Sequence, residues 1–228
     1  MNNNVELALP AGSLQAALQA FINGSDAVYL GLKQFSARKG AQNFTLEELS
    51  QLKQYVSKEN KKIQVALNTV VDDVELDQLI ATLSYLEYLN IDAIIVQDLG
   101  LALLIKENFP NLKLHASTQL AVHTIEGVKQ LEQAGFERVV LARELTFKQI
   151  KEIREACPSI ELKVFIHGAL CYSFSGLCMA SHYLTGRSAN RGECAQICRT
   201  YFSLDQNNSN SYYFSMTDLA QREEILKL

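Results

Sequence analysis

The sequence lacks any stretch of apolar residues long enough to cross a membrane, and residues 1–4 lack the basic and apolar regions of a secretory signal. We therefore expect a cytoplasmic protein, in a compartment that keeps thiols reduced. No HExxH run is present, so zinc-protease chemistry has no visible residues to support it. The net charge of -4 gives no global signature of nucleic-acid binding, and any RNA contact must use a local basic patch.

The first 167 residues alternate short apolar runs with amphipathic stretches, a pattern that predicts parallel strands joined by helices. The 228 residues suit a single (β/α)8 TIM-barrel-like domain. A doubly wound open sheet is the alternative, disfavoured because no GxGxxG follows the first strand. The predicted strands are residues 5–9, 27–30, 63–68, 93–96, 112–116, 138–142 and 162–167, with a final one at 212–215.

Several helices have recognisable amino-terminal caps. Ser13 and Thr146 precede amphipathic runs, and Thr45 with Glu48 matches a capping box. Asp218 is predicted to cap a further helix that begins at residue 219.

Polar residues follow the predicted strands where a barrel has its active site, at the carboxyl ends. Strand three ends in Asn68, strand five in a polar run that contains His115 and Gln119, strand six in Arg143 and strand seven in His167. Capping or loop hydrogen bonds are the commoner role of any single Asn, Gln, Ser or Thr at such a position. A guanidinium or an imidazole has fewer such roles, so we take Arg143, His115 and His167 as candidate catalytic residues, and Asn68 and Gln119 as candidate substrate-binding residues.

Four of the five cysteines, Cys171, Cys178, Cys194 and Cys198, lie within residues 168–200. In a reducing compartment such a group indicates a metal or redox site before it indicates disulfides. The tight CxxC knuckles of many zinc sites are absent, which favours an iron-sulfur cluster over zinc or over unliganded thiols. A helical turn would place the sulfurs of Cys194 and Cys198 on one face. Cys157 is predicted to be a buried structural thiol.

Three arginines, Arg187, Arg191 and Arg199, interleave with these cysteines. Their guanidinium groups could offset the negative charge of a thiolate-ligated cluster or hold an anionic substrate beside it. A solvated basic loop is the alternative interpretation.

The cysteine-rich region resembles a known family. The runs that match are VFIHGALCYSFSGLC at residues 164–178 and GRSANRGECAQ at 186–196, with LPAGS at 9–13, DAVYLG at 26–31, FSAR at 35–38 and LAREL at 141–145. They are similar to peptidase family U32, the collagenase-like peptidases, over nearly the whole chain.

That resemblance implies a barrel-like catalytic domain with a 4Fe-4S cluster. It further implies oxygen-independent hydroxylation of an RNA base, with prephenate as the hydroxyl donor. The GRSANRG run looks most like the branch that hydroxylates a cytidine of ribosomal RNA, and the tRNA-modifying branch is second. A collagenase-like peptidase and a zinc-stabilised, non-catalytic RNA-binding module are the alternatives.

The sequence departs from the family pattern in one respect that bears on the ligands. Several members have a cysteine ligand in a run equivalent to SMTDLA at residues 215–220, which has none here. The resemblance therefore implies that Cys198 is the fourth ligand. Longer members continue past the position that corresponds to Leu228.

Overall fold

A computed structural model describes residues 5–57, 59–203 and 210–223. Its main element is a sheet of seven parallel strands that pair in chain order. The strands are β1 (Ala8–Ala11), β2 (Ala27–Gly31), β3 (Lys62–Leu67), β4 (Ala93–Val96), β5 (Leu114–Ala116), β6 (Arg138–Val140) and β7 (Glu161–Lys163).

A helix follows each of the first six strands, as the alternating pattern predicts. The helices are α1 (Leu14–Ile22), α2 (Leu46–Val56), α3 (Leu76–Tyr88), α4 (Leu99–Asn108), α5 (Ile125–Gln133) and α6 (Phe147–Ala156). Ser13 caps α1, and Thr45 forms the predicted capping box with Glu48 at α2. Thr146 forms a second capping box with Gln149 at α6. None of the described helices is long and apolar enough to cross a membrane.

The sheet is curled like the wall of a barrel, as contacts between side chains from distant strands show. Lys163 on β7 donates to Gln64 Oε1 on β3 at 2.8 Å, although these strands are four positions apart. In a flat sheet they would be separated by about 19 Å. Glu6, just before β1, forms ion pairs with Arg138 on β6 and Lys62 on β3. The architecture is TIM-barrel-like, as the sequence predicted.

The hydrophobic core lies between this sheet and the helices around it. Each fully buried leucine or isoleucine here contributes about 1.5–3 kcal/mol through the apolar area it removes from water. Fully buried side chains include Leu30, Ile63, Leu67 and Ile94 on the strands, and Leu49, Leu52, Leu79, Leu83, Leu86 and Ile105 on the helices.

The first and seventh strands differ from the prediction. Strand β1 lies about two residues later in the sequence than predicted and includes Pro10. Proline is tolerated because β1 is at the edge of the sheet, where its missing N–H needs no partner. Leu7 instead accepts hydrogen bonds from the backbone N–H groups of Asp26 and Ala27. Strand β7 ends at Lys163, and the chain then leaves the parallel sheet at Gly168, whose φ is 130°.

The expected eighth strand at 212–215 was wrong, and the described sheet has seven parallel strands. Tyr212 and Phe214 pack edge-on against other rings instead of pairing in a ladder. The helix predicted from residue 219 was also wrong at its start, and residues 224–228 lie outside the described residues. Besides short 3-10 turns, the described residues also form α7 (Ala180–Thr185) and four strands, β8 (His167–Gly168), β9 (Phe202–Ser203), β10 (Asn210–Ser211) and β11 (Leu219–Ala220). Strands β8 and β11 pair antiparallel, as do β9 and β10.

Candidate functional site

The cysteine-rich segment, residues 168–200, lies across the carboxyl ends of the parallel strands. The backbone N–H of Lys39, after β2, donates to the carbonyl of Gly192 at 3.1 Å. The carbonyl of Asn190 accepts from Val70 N–H, after β3, at 3.2 Å and from Gln97 Nε2, after β4, at 3.3 Å. These hydrogen bonds hold the segment over the mouth of the curled sheet.

Gly192 shows how closely the segment approaches the barrel. A Cβ at this position would lie 2.2 Å from the carbonyl oxygen of Ser36, and the φ of Gly192 is 84°. Both the space and the backbone conformation exclude larger residues.

The segment is also held at the ends of β5 and β6. Ser175 is fully buried, and its backbone N–H and hydroxyl donate to the two carboxylate oxygens of Glu144 at 2.7 and 2.9 Å. Burial alone would raise the pKa of Glu144, but these two hydrogen bonds hold it below its ordinary value. The next residue, Gly176, has a φ of 85° and faces Arg143 and Gln119.

Three of the predicted site residues come together at this mouth. Asn68 Oδ1 accepts from the N–H of Ala37 at 3.0 Å, and Asn68 Nδ2 donates to Gln119 Oε1 at 2.8 Å. The amide of Gln119 is therefore oriented with its nitrogen available. Within the described residues, neither Gln119 Nε2 nor the Arg143 guanidinium has a hydrogen-bond acceptor. This part of the mouth presents donors, which suits a carboxylate or a carbonyl oxygen.

The four cysteines of the segment are free thiols in different surroundings. Cys194 is exposed, and the other three are partly buried. Burial alone would raise the pKa of the Cys178 thiol, but hydrogen bonds from the Ser173 hydroxyl and the backbone N–H groups of Ser181 and Ala180 lower it. Cys194 Sγ accepts from Gln196 N–H at 3.4 Å. Cys157, away from the segment, is buried as predicted.

These donors fit a thiolate-ligated cluster, because thiolates that bind iron commonly accept N–H hydrogen bonds. Positive φ at Ser175, Gln196 and the segment's glycines lets the backbone turn sharply around a compact core. In the described part of the chain no three potential ligands form a ready coordination group, so the metal stays a prediction. The helical turn expected between Cys194 and Cys198 was wrong, because Gln196 is left-handed and the turn begins only at Ile197.

The three arginines of the segment have different environments. Arg199 donates to the carbonyls of Leu170 and Met216, both at 2.9 Å, and to Ser215 Oγ at 2.6 Å. Arg191 donates to the Val70 carbonyl at 3.0 Å and pairs with Glu75 at 2.9 Å. Both therefore tie the segment to its neighbours. Arg187 is exposed and is available to a ligand. Substrate binding by all three stays a prediction.

His115 does not lie at the mouth, contrary to the sequence expectation. Its imidazole is 5% exposed and lines a cavity of about 270 Å³ at the amino-terminal ends of the strands, with Lys62, Arg138 and Glu161. The pKa of His115 is lowered to about 3, mainly by burial of the imidazole and to a smaller extent by the nearby positive charges of Arg138 and Lys163. His167 is exposed at the start of β8, beyond the end of β7. The catalytic roles of both histidines remain untested predictions.

Two residues that organise the site were missed by the sequence reasoning. Asn190 joins the ends of β3 and β4 to the cysteines, because its Oδ1 also accepts from Cys178 N–H at 3.4 Å. Ser181 is fully buried, and its hydroxyl donates to the Arg187 carbonyl and accepts from Ala195 N–H. Their place in a glycine- and arginine-rich run was the available signal, but it does not distinguish them from surface loop residues.

Comparisons with known proteins agree on one family. The model described as "Peptidase family U32" matches residues 12–228. The chain is 39% identical over 229 residues to a 23S rRNA 5-hydroxycytidine synthase of Escherichia coli (strain K12), covering 100% of this chain and 34% of that protein. It is 37% identical over 205 residues to tRNA hydroxylation protein P of Haemophilus influenzae (strain ATCC 51907 / DSM 11121 / KW20 / Rd), covering 90% and 45%.

The fold comparison agrees with the barrel-like architecture. A solved structure of a U32 peptidase matches with a TM-score of 0.63 and 18% identity, covering 74% of this chain and 71% of that one, which supports the fold alone. The chain spans about a third to a half of the length of the two curated relatives named above.

Proposed function

The chain belongs to peptidase family U32, and on this premise we propose that it takes part in the oxygen-independent hydroxylation of an RNA base. Cytidine of ribosomal RNA is the preferred substrate and tRNA the second. Two relatives of the chain are named for these two kinds of RNA product. Such an activity belongs in the cytoplasm, where ribosomes and tRNA are found.

The observation that carries this proposal is the donor-lined mouth beneath the cysteine-rich segment. The free amide nitrogen of Gln119 and the guanidinium of Arg143 lie beside Gly176, within the segment that holds the cysteines. A small carboxylate such as prephenate would bind to these donors, with Arg143 neutralising its charge. Asn68 is a positioning residue, because its Nδ2 bonds to the Oε1 of Gln119 and so leaves the Nε2 of Gln119 available to a ligand.

We propose that Cys171, Cys178, Cys194 and Cys198 hold a 4Fe-4S cluster, with zinc as the alternative metal. When bound, such a cluster supplies one-electron redox chemistry. The chain's own residues prepare the thiols: N–H and O–H donors reach the sulfur of Cys178, and one N–H reaches that of Cys194. Ser175 and Glu144 fix the intervening turn against the end of β6.

The alternative function, that of a collagenase-like peptidase, agrees with the name of the family but is less well supported by the site. A peptidase of the serine or cysteine type needs a nucleophile hydrogen-bonded to a base. Ser175 bonds to Glu144, Ser181 to the Arg187 carbonyl and Ala195 N–H, and Cys194 to Gln196 N–H, and none of these partners is a histidine.

Mass spectrometry of nucleosides tests the proposal. Ribosomal RNA and tRNA would be compared from cells with and without the gene, complemented with wild type, Cys178→Ser or Arg143→Ala. We expect one hydroxylated nucleoside to disappear with the gene and to return only with wild type. Lys148→Ala, an exposed substitution on α6, is the control and should restore the nucleoside fully.

Unchanged RNA in the deletion strain would contradict the proposal. If, in addition, purified protein cleaved gelatin equally well with and without Cys178, the peptidase reading would replace it.

A further inference from the structure

The cysteine-rich segment and the residues that follow it expose an unusual number of aromatic rings. Among the described residues, seven of the eleven exposed large apolar side chains from Gly168 onward are tyrosine or phenylalanine, against two of ten before it. The exposed rings are Tyr172, Phe174, Tyr183, Tyr201, Tyr212, Tyr213 and Phe214. We call these seven residues the aromatic surface.

Four rings of this surface, Tyr172, Tyr201, Tyr212 and Phe214, are ordered by contacts with other rings. Phe214 packs edge-on against Tyr172 and Phe202, with ring centroids 5.3 and 5.0 Å apart. Tyr201 and Tyr212 form a similar pair at 5.1 Å. Edge-on pairs of this kind stabilise ring positions beyond the area they bury, yet Tyr172, Tyr201 and Tyr212 each remain more than half exposed. The rings are therefore preorganised for an external partner.

Arg199 joins this surface to the cysteines. Its guanidinium bonds to Leu170 on one side and to Ser215 and Met216 on the other. This arrangement places the paired rings next to Cys171. Phe174 packs edge-on against His123 at 5.5 Å and precedes Ser175, which is bound to Glu144 at the mouth. The aromatic surface thus borders the donor-lined mouth.

The local charge matches an anionic partner. Residues 168–203 contain three arginines against the single acidic residue Glu193, whereas the whole chain has a net charge of -4. Arg191 pairs with Glu75 and Glu193 with Lys39, so Arg187 and Arg199 give the segment its excess positive charge. Arg187 is exposed in the turn after α7, which carries Tyr183, a residue that is 89% exposed. Exposed rings beside arginines are the combination with which proteins bind single-stranded nucleic acid, because bases stack on the rings while the arginines meet phosphates.

We propose that the aromatic surface binds single-stranded RNA, with unpaired bases stacked on Tyr172, Tyr183 and Tyr201. This inference rests on the proposed function, in which a base leaves its own stack to reach the mouth. A loop or an unpaired end satisfies that need at a lower cost than a duplex. The surface then grips the nucleotides that flank the target base.

The test measures the affinity of protein purified without oxygen for a fluorescent single-stranded RNA oligonucleotide, by anisotropy. Tyr172→Ala, Tyr183→Ala and Tyr201→Ala should each weaken binding by about 5- to 150-fold, the range for loss of one stacked base. The matching Tyr→Phe variants keep the ring and should bind like wild type. Tyr88→Ala removes a ring that is 78% exposed on α3, far along the chain from the segment, and is the matched control.

Wild-type affinity in all three alanine variants would overturn the inference, and altered sedimentation of the same variants would assign the surface to a protein contact instead. Nucleoside analysis separates this failure from that of the proposed function. If the aromatic variants bind and modify RNA normally while Cys178→Ser does not, only the surface was misassigned. If the variants lose RNA binding but no nucleoside depends on the gene, the surface stands and the hydroxylase proposal falls.

Discussion

Ser175 donates both its backbone N–H and its hydroxyl to the carboxylate of Glu144, so one residue of the cysteine-rich segment is clamped to the end of β6. Glu144→Ala would leave two buried donors without acceptors, at a cost of about 1–3 kcal/mol. We expect a lower free energy of unfolding in urea and faster hydrogen exchange at the Ser175 amide. Glu107→Ala, at an exposed position of α4, should change neither quantity. Normal protection of Ser175 in Glu144→Ala would show that the clamp is unimportant.

Arg143 and Arg199 should separate activity from stability. Arg199→Ala removes three hydrogen bonds, and we expect about 1–3 kcal/mol of local destabilisation, seen as faster proteolysis around residues 212–216. Arg143→Ala breaks no hydrogen bond to another described residue, so its unfolding free energy should stay within about 0.5 kcal/mol of wild type. The proposed RNA-modifying activity should fall by about tenfold or more, because the carboxylate of the hydroxyl donor loses a charged partner. An active Arg143→Ala enzyme would remove this residue from the site.

His115 should make the protein less stable as the pH falls. Its pKa is about 3 in the folded protein but 6.5 as a free side chain, so below pH 6.5 the unfolded chain binds a proton that the folded chain does not. This contribution to stability is complete above pH 6.5 and is reduced by about 2 kcal/mol at pH 5. Denaturation in urea between pH 5 and pH 8 measures it.

A pair of histidine variants isolates this effect from the titration of other groups. His115→Leu should flatten the decline between pH 6.5 and pH 5, whereas His182→Leu, at an exposed position of α7, should keep it. Equal slopes in wild type and His115→Leu would mean that the buried imidazole is protonated in the folded protein.

The four cysteines of the segment should act together in holding iron. Protein purified without oxygen is expected to contain about four iron and four acid-labile sulfide atoms per chain, and Cys194→Ser should lose most of both. Cys157→Ser is the matched control, since Cys157 is buried against Ile125 away from the segment, and it should keep its iron. Stoichiometric zinc without sulfide would contradict the cluster and favour a structural metal.

Local chemistry allowed much of the fold to be predicted from the sequence. The caps at Ser13, Thr45 and Thr146 depend only on residues two to four positions away, and the structure confirms all three. The apolar runs predicted the positions of the seven parallel strands, most clearly β4, in which all four residues are apolar and buried, as expected of a strand covered on both faces. The cysteine spacing likewise identified residues 168–200 as a distinct segment, and the burial of Cys157 was predicted correctly.

Tertiary structure alone decided where several of these residues point. His115 lies near the end of a predicted strand, as the mouth residues do, but the twist and stagger of the curled sheet place its ring beside Arg138 in the amino-terminal cavity. The run at 212–215 has the composition of a strand, yet its rings find partners in Tyr172, Tyr201 and Phe202 and no strand forms there. Asn190 and Gln119 acquired their roles through contacts with residues 51 to 120 positions away. Spacing along the chain determines which side chains are available, whereas the packing of distant elements determines which of them meet, because non-local contacts depend on the whole fold and not on any one segment.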